Sequence, residues 1–135
     1  LKLPLKISNW RPLSNNLCKP ASAKWRKILI ISFLKPNANW KQGNARFAAY
    51  FWGSGDKWVN MTDSDGDGIY ELNIPEGYDY GCNVIFCRMN PNTTANNWNN
   101  KWNQTSDLKA PTDGKNLYTV KENTWDKGGG TWSVK

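Results

Sequence analysis

Two short stretches of the chain place tryptophan beside glycine, lysine and amide side chains rather than in apolar runs. They are residues 52–58 and 96–104, and the chain has nine Trp among 135 residues. So many indoles cannot all be buried in a small chain, because each buried indole N–H needs a hydrogen-bond partner. A half-exposed indole can cover the weakly polar C–H face of a pyranose ring, while nearby amides and ammonium groups bind its hydroxyls.

The candidate binding residues come from these two stretches and from the strand that leads into the first. They are Tyr50, Trp52, Trp58, Trp98, Lys101 and Trp102. Trp98 and Trp102 are spaced i, i+4, so they could share one face of a short helical turn, although packing of their loop onto a sheet is an open alternative. Trp40, Trp125 and Trp132 are interpreted as packing residues.

Nucleophilic catalysis by a histidine-assisted pair is excluded because the chain contains no His. Hydrolysis of a glycosidic bond by paired carboxylates would need a second acidic group across a cleft. The acidic residues concentrate instead in the turn that follows Met61. We therefore expect no catalysis and no cofactor.

The acidic turn resembles the first half of an EF-hand calcium loop. Residues 63–68 read Asp-Ser-Asp-Gly-Asp-Gly, but the twelfth position of such a loop, which should carry a carboxylate, is Ile74. The segment also leads into a predicted strand rather than a helix. An acidic hairpin turn without a metal is the favoured interpretation.

The net charge of +7 does not indicate nucleic-acid binding. Residues 1–27 hold seven Lys or Arg and no acid, whereas residues 28–135 hold eleven of each sign. A neutral body lacks the basic face that binds phosphates. No apolar run reaches about 18 residues, so no membrane span is expected.

The chain has an odd number of cysteines, namely Cys18, Cys82 and Cys87. Cys82 and Cys87 would lie about 16 Å apart along one strand, too far for a disulfide between them. Buried free thiols are the favoured interpretation, and the cysteines alone do not fix the compartment.

The pattern of the elements predicts an all-β protein. Turn residues recur every 8 to 12 positions, as in sandwiches and barrels. Strands are expected at residues 28–34, 46–52, 58–61, 69–75, 84–89, 105–108, 116–120 and 131–134, with a long Asn-rich loop at 92–105. In the second of these strands, Ala48, Tyr50 and Trp52 should share one face, and the alternate residues the other.

The chain divides into a basic linker or tail at residues 1–27 and a module at residues 28–135. The tail has three prolines, and its apolar residues follow neither a helix period nor a strand period. Residues 24–34 could also be the charged start and apolar core of a signal peptide, but no small-residue cleavage site follows, so a first β-strand is favoured.

An ordered set of motifs in residues 28–135 resembles the starch-binding carbohydrate-binding modules of family 26, which occur on bacterial amylases and surface starch-utilisation proteins. The set is Lys35-Pro36-Asn37, Tyr50-Phe51-Trp52, Trp58-x-x-Met61, Asp-Gly-Asp-Gly-Ile-Tyr-Glu, Val-Ile-Phe, Gln-Thr-x-Asp-Leu and a closing Gly-x-Trp. The family often has Trp-Pro-Gly before its Met, whereas this chain has Trp58-Val59-Asn60.

The resemblance implies an immunoglobulin-like β-sandwich that binds α-1,4-glucans or maltooligosaccharides without cleaving them. Tyr50, Trp52 and Trp58 best match the family's stacking positions, whereas Trp98, Lys101 and Trp102 are assigned by chemistry alone. The implied setting is a larger multimodular bacterial protein, secreted or at the cell surface. The alternative is an adhesion or spacer β-sandwich domain of a bacterial surface protein, without a sugar site.

Overall fold

The computed structural model describes residues 30–53, 55–78 and 81–135, and most of their regular structure is β-strand. The strands are β1 Ile31–Lys35, β2 Arg46–Trp52, β3 Lys57–Met61, β4 Tyr70–Asn73, β5 Asn83–Met89, β6 Lys101–Gln104, β7 Leu108–Lys109, β8 Leu117–Val120 and β9 Gly130–Ser133. Single 3-10 turns at Gln42–Asn44 and Trp98–Asn100 precede β2 and β6. Within these ranges no helix is a candidate for crossing a bilayer.

The strands form two sheets. One has the order β4-β1-β8-β9, and the other has the order β3-β2-β5-β6, with β7 also paired to β5. The β1–β8 pair is parallel, and the remaining pairs between named strands are antiparallel. The predicted all-β class is therefore confirmed.

The main core lies where the inner faces of the two sheets meet. Phe86 of β5 stacks on Tyr118 of β8 at 5.8 Å between ring centroids, and Phe47 of β2 contacts Tyr70 of β4 at 4.6 Å. Trp40 is buried in the same core, as its interpretation as a packing residue predicts. Burial of these large rings supplies the hydrophobic free energy that holds the sheets together.

The side chains of β2 alternate as the sequence predicts. Phe47, Ala49 and Phe51 enter the core between the sheets, whereas Ala48 and Trp52 belong to a separate apolar cluster. Successive side chains of a strand point to opposite faces, so Tyr50 also lies on this second, outer face. The outer face of the β3-β2-β5-β6 sheet is where the candidate residues of β2 and β3 gather.

The predicted Asn-rich loop at 92–105 is wrong in its second half, because residues 101–104 form β6 and pair with β5. The polar composition of residues 101–104 suggests a loop, but β6 lies at a sheet edge, where polar residues are tolerated in a strand. The next strand is also displaced: β7 begins at Leu108. Thr105 instead uses its hydroxyl oxygen to accept a hydrogen bond from the backbone N–H of Phe86, at 3.1 Å.

The cysteines differ from the expectation of free thiols in one respect. Cys87 is free and buried, but Cys82 is disulfide-bonded. The spacing of Cys82 and Cys87 excludes only a bond between these two and does not indicate which thiol is oxidised. The expectations for Cys18, for the tail at residues 1–27 and for the start of the first strand lie outside the described residues.

Candidate functional site

Three aromatic side chains of β2 and β3 meet on the outer face of the sheet. Tyr50 lies directly opposite Trp58 in the antiparallel register, and their ring centroids are 5.0 Å apart. Trp52, two residues along β2, stacks on Tyr50 at 5.5 Å with an interplanar angle of 25°. Strand alternation and cross-strand pairing, both local properties of a sheet, are enough to bring these rings together.

Trp98 joins this group from the turn before β6. Its ring centroid lies 4.7 Å from that of Tyr50, at an interplanar angle of 65°, and 4.8 Å from that of Trp58, at 66°. The four rings of Tyr50, Trp52, Trp58 and Trp98 are called the aromatic platform below. Trp98 is the most open of them, at 44% exposed, and it stands steeply inclined to two of the others.

Lys101 lies beside the platform. Its ammonium nitrogen is 5.4 Å from the centroid of the Trp98 ring, within the range of a cation–π contact. The same nitrogen donates a hydrogen bond to the side-chain oxygen of Gln104. A donor is therefore held at the rim of the platform, where a ligand hydroxyl could meet it.

Arg46 fixes the loop that carries Trp98. From the start of β2 its guanidinium donates to the carbonyls of Asn90, Thr93 and Ala95 at 3.2, 2.8 and 2.7 Å. It also donates to the side-chain oxygens of Thr93 and Asn96 at 3.1 and 2.6 Å. Partial burial lowers the pKa of Arg46 from its usual value. This role has no signal in the sequence, since nothing local marks one arginine as a loop anchor.

The asparagines around Trp98 are structural as well as polar. Asn97 caps the 3-10 turn by accepting from the backbone N–H of Asn100 at 2.9 Å, and the Asn100 amide donates to the carbonyl of Ala95 at 2.9 Å. Asn96 donates to the side-chain oxygen of Asn60 on β3, at 3.1 Å. Asx caps and cross-links of this kind hold a loop without regular structure in one conformation.

The platform also covers a second apolar cluster. Ala48, Ile85, Cys87 and Met89 are buried on the outer face, and Trp52 and Trp58 pack against them. These indoles, like Tyr50, are consequently half-buried rather than fully open. Burial raises the pKa of the Cys87 thiol to about 12, so the thiol is neutral at physiological pH.

Tyr50 keeps its proton over a wide pH range. Loss of hydration, together with a hydrogen bond to the Asp56 side chain, raises the pKa of Tyr50 to about 12. The neutral phenol donates to the carboxylate, which restrains the ring at the centre of the platform. The group is thus a stacking surface that holds one arrangement across the physiological range.

The structure does not bring Trp102 into the platform. Lys101 pairs with Met89, which lies on the outer face, and successive side chains of a strand point to opposite faces. Trp102 therefore lies over the guanidinium of Arg88, 4.6 Å from its ring centroid to the central carbon. The expectation that Trp98 and Trp102 share one helical face is wrong, since the helical turn ends at Asn100.

Trp125 is the second indole on Arg88, at 5.3 Å. It is 44% exposed, which corrects its interpretation as a packing residue, whereas Trp132 does pack on Phe86 and Tyr118 in the core. The sequence gives no sign of this pairing, because Arg88 and Trp125 belong to a strand and a distant loop.

The acidic turn brings three carboxylates together. One oxygen from each of Asp63, Asp65 and Asp67 lies within 4.8 Å of the others. These groups also accept backbone N–H bonds inside the turn, such as Gly68 to Asp63 at 2.9 Å. Thr62 and Glu71, at the two ends of the turn, form an antiparallel bridge in which each backbone N–H donates to the other's carbonyl, at 3.0 and 2.7 Å. The turn is therefore closed as a hairpin is, although the strands β3 and β4 that it joins belong to different sheets.

Comparisons with known proteins identify no relatives. No family model, no curated protein and no solved structure matches the chain.

Proposed function

We propose that this protein is a noncatalytic module that binds starch and related α-1,4-glucans by aromatic stacking. Tyr50, Trp52, Trp58 and Trp98 would contact the sugar rings, and Lys101 would donate to their hydroxyls. The observation that carries the proposal is the inclination of Trp98 by 65° and 66° to Tyr50 and Trp58. Rings set at such angles suit a coiled glucan, whereas coplanar rings would suit a flat one.

The proposed role is to retain an attached amylolytic system on its substrate. A shallow platform of a few rings is expected to bind with a Kd in roughly the micromolar to millimolar range. Such weak binding becomes useful when several modules act together, because linkage raises the effective concentration of the second site. We therefore place the chain within a larger multimodular protein.

The proposal includes an immunoglobulin-like sandwich similar to the family 26 modules. Two sheets packed on a common core support it, as does the aromatic strand β2 followed by Trp58. A secreted or cell-surface location is supported by the disulfide at Cys82, since disulfides persist in oxidising compartments.

The test is a titration of the full chain with maltoheptaose and, separately, cellohexaose. We expect saturable quenching or enhancement of Trp fluorescence with the first sugar and at least tenfold weaker binding of the second. In a starch-affinity gel, Trp52→Ala should lose most of its retention while keeping the wild-type far-UV spectrum. Equal binding of both sugars, or of neither, would refute the α-glucan assignment.

A second candidate function is an adhesion or spacer domain without a sugar site. The packing of Trp52 and Trp58 over the outer apolar cluster favours it, because these rings then serve to close the fold. This function predicts no fluorescence response to any oligosaccharide and a large loss of stability in the Trp58→Ala variant.

A further inference from the structure

Two open indoles lie on a surface separate from the platform. Trp102 and Trp125 are 40% and 44% exposed. Both ring centroids lie within 5.3 Å of the central guanidinium carbon of Arg88, so the two rings share one guanidinium. Trp102, Trp125 and Arg88 together are called the arginine-backed surface below.

The guanidinium is fixed from within the protein. Arg88 is 8% exposed and donates to the carbonyls of Trp40 and Gln42 at 2.9 and 2.7 Å, and to the side-chain oxygen of Asn103 at 2.9 Å. A charged group held by three acceptors has little freedom left. It therefore presents a rigid cationic plane to the faces of the two indoles.

The loop that bears Trp125 is anchored as firmly. The Trp125 carbonyl accepts from the indole N–H of buried Trp40 at 2.7 Å, and the carboxylate of Asp126 accepts from the backbone N–H of Gln104 at 2.9 Å. Asn37 donates to two further carbonyls of the same loop at 2.7 and 2.8 Å. Both rings are thus held in place before any ligand arrives, which lowers the entropic cost of binding.

Contact with Arg88 accounts for the inner face of each indole ring, but it does not account for the exposure of the rest of the ring. A cover for a buried charge needs only the inner ring face, yet a large part of both rings remains in water. Among the described residues three tryptophans are at least 40% exposed, and two of them lie here. The surroundings are polar: Gln42 and Asn44 flank Gly43, which lies against the Trp102 ring, Asp126 follows Trp125, and all three polar residues are exposed.

We propose that the arginine-backed surface is a second glycan-binding site, at which Trp102 and Trp125 stack on pyranose rings. The inference takes its ligand class from the proposed function but does not depend on the platform. Flat indoles with amide neighbours match the C–H faces and hydroxyl rim of a sugar. The Arg88 guanidinium supports the indoles, because its three hydrogen bonds already run into the protein.

The platform and the arginine-backed surface lie on opposite faces of strands β5 and β6. Met89 and Cys87 lie in the cluster beneath the platform, whereas the Arg88 side chain lies on the opposite face of the same strand. Lys101 and Trp102 divide in the same way, one at each surface. We therefore expect the two sites to fill independently and a polymer to be bound at two points.

The experiment is fluorine NMR of the full chain labelled with 5-fluorotryptophan. Single replacements Trp98→Phe, Trp102→Phe and Trp125→Phe assign the three signals. The labelled wild-type protein is then titrated with maltoheptaose, cellohexaose and xylohexaose. The Trp98 signal reports the platform, and the Trp102 and Trp125 signals report the arginine-backed surface.

We expect saturable shifts of the Trp102 and Trp125 signals with at least one of these sugars, and a different apparent Kd from that of the Trp98 signal. Trp125→Ala should weaken binding at this surface at least fivefold while leaving the Trp98 titration unchanged. Absence of any shift at Trp102 and Trp125 up to millimolar sugar overturns the inference. A static Trp98 signal with moving Trp102 and Trp125 signals overturns the proposed platform and leaves the second site standing.

Discussion

Replacement of Trp98 by alanine is the most direct perturbation of the proposed platform. The ring is 44% exposed and meets Tyr50 and Trp58 edge-on, so it can be removed without opening the core between the sheets. The loop beneath it remains anchored by Arg46 through bonds to the backbone. We expect the Trp98→Ala variant to fold and to bind maltoheptaose more weakly.

The size of the effect follows from the exposed area of the ring. A Trp side chain offers about 150–250 Å², so roughly 100 Å² of Trp98 faces solvent at its observed exposure. A sugar that covers half of it, and loses as much of its own area, removes about 100 Å² from water, worth about 2.5 kcal/mol. Ordering of the sugar offsets part of this, leaving about 1–2 kcal/mol, or about a 5- to 30-fold rise in Kd.

The assay is isothermal titration with maltoheptaose, accompanied by urea unfolding of each variant. Lost edge contacts with Tyr50 and Trp58 are expected to lower the free energy of unfolding by about 1–3 kcal/mol. Trp98→Phe should give an intermediate Kd, and Asn99→Ala, in the same turn and exposed, should match the wild type. An unchanged Kd for a folded Trp98→Ala would refute the stacking role.

Three further outcomes are expected. Arg46→Lys cannot reproduce five hydrogen bonds, so hydrogen exchange of residues 90–97 should accelerate and the Kd for maltoheptaose should rise severalfold; unchanged exchange would contradict the anchoring role. The pKa of Tyr50 is raised to about 12 from about 10 in an unfolded chain, so its contribution to stability is complete below about pH 10 and is lost as the pH rises through 12. Tyr50→Phe should therefore show a shallower loss of unfolding free energy between those pH values in urea titrations, and equal slopes would contradict the assignment. Asn37→Asp removes a buried donor from two loop carbonyls and should lower the free energy of unfolding by about 2–4 kcal/mol; Asn92→Asp, at an exposed position, is the control and should change it little, and equal effects of the two would argue against the buried network.

Much of the fold could be predicted from the sequence because strand structure leaves a local pattern. The alternation in residues 46–52 gave both the strand bounds and its two faces, and these match β2. The pairing of Tyr50 with Trp58 follows from two strands joined by a short Gly-rich turn. The positions of three of the four platform rings thus follow from two strands that are adjacent in the sequence.

The sequence marks Trp98 as a candidate by its neighbours but could not predict that it meets Tyr50 and Trp58, since that depends on contacts between distant segments. Trp98 reaches Tyr50 because Arg46 and Asn96 hold the intervening loop, and no local pattern encodes those bonds. Trp102 lies on the other face because residues 101–104 form a strand paired with β5 rather than a continuation of the helical turn. Composition could not reveal β6, because an edge strand tolerates the same polar residues as a loop.

The sequence alone determined that this is a β protein with aromatic rings on an outer strand face, because the period of two is set residue by residue. Tertiary structure alone decided which rings meet, how they are inclined and which remain in water. Those properties arise from sheet order, register and loop anchoring, which are set by the free energy of the whole fold rather than by any one segment.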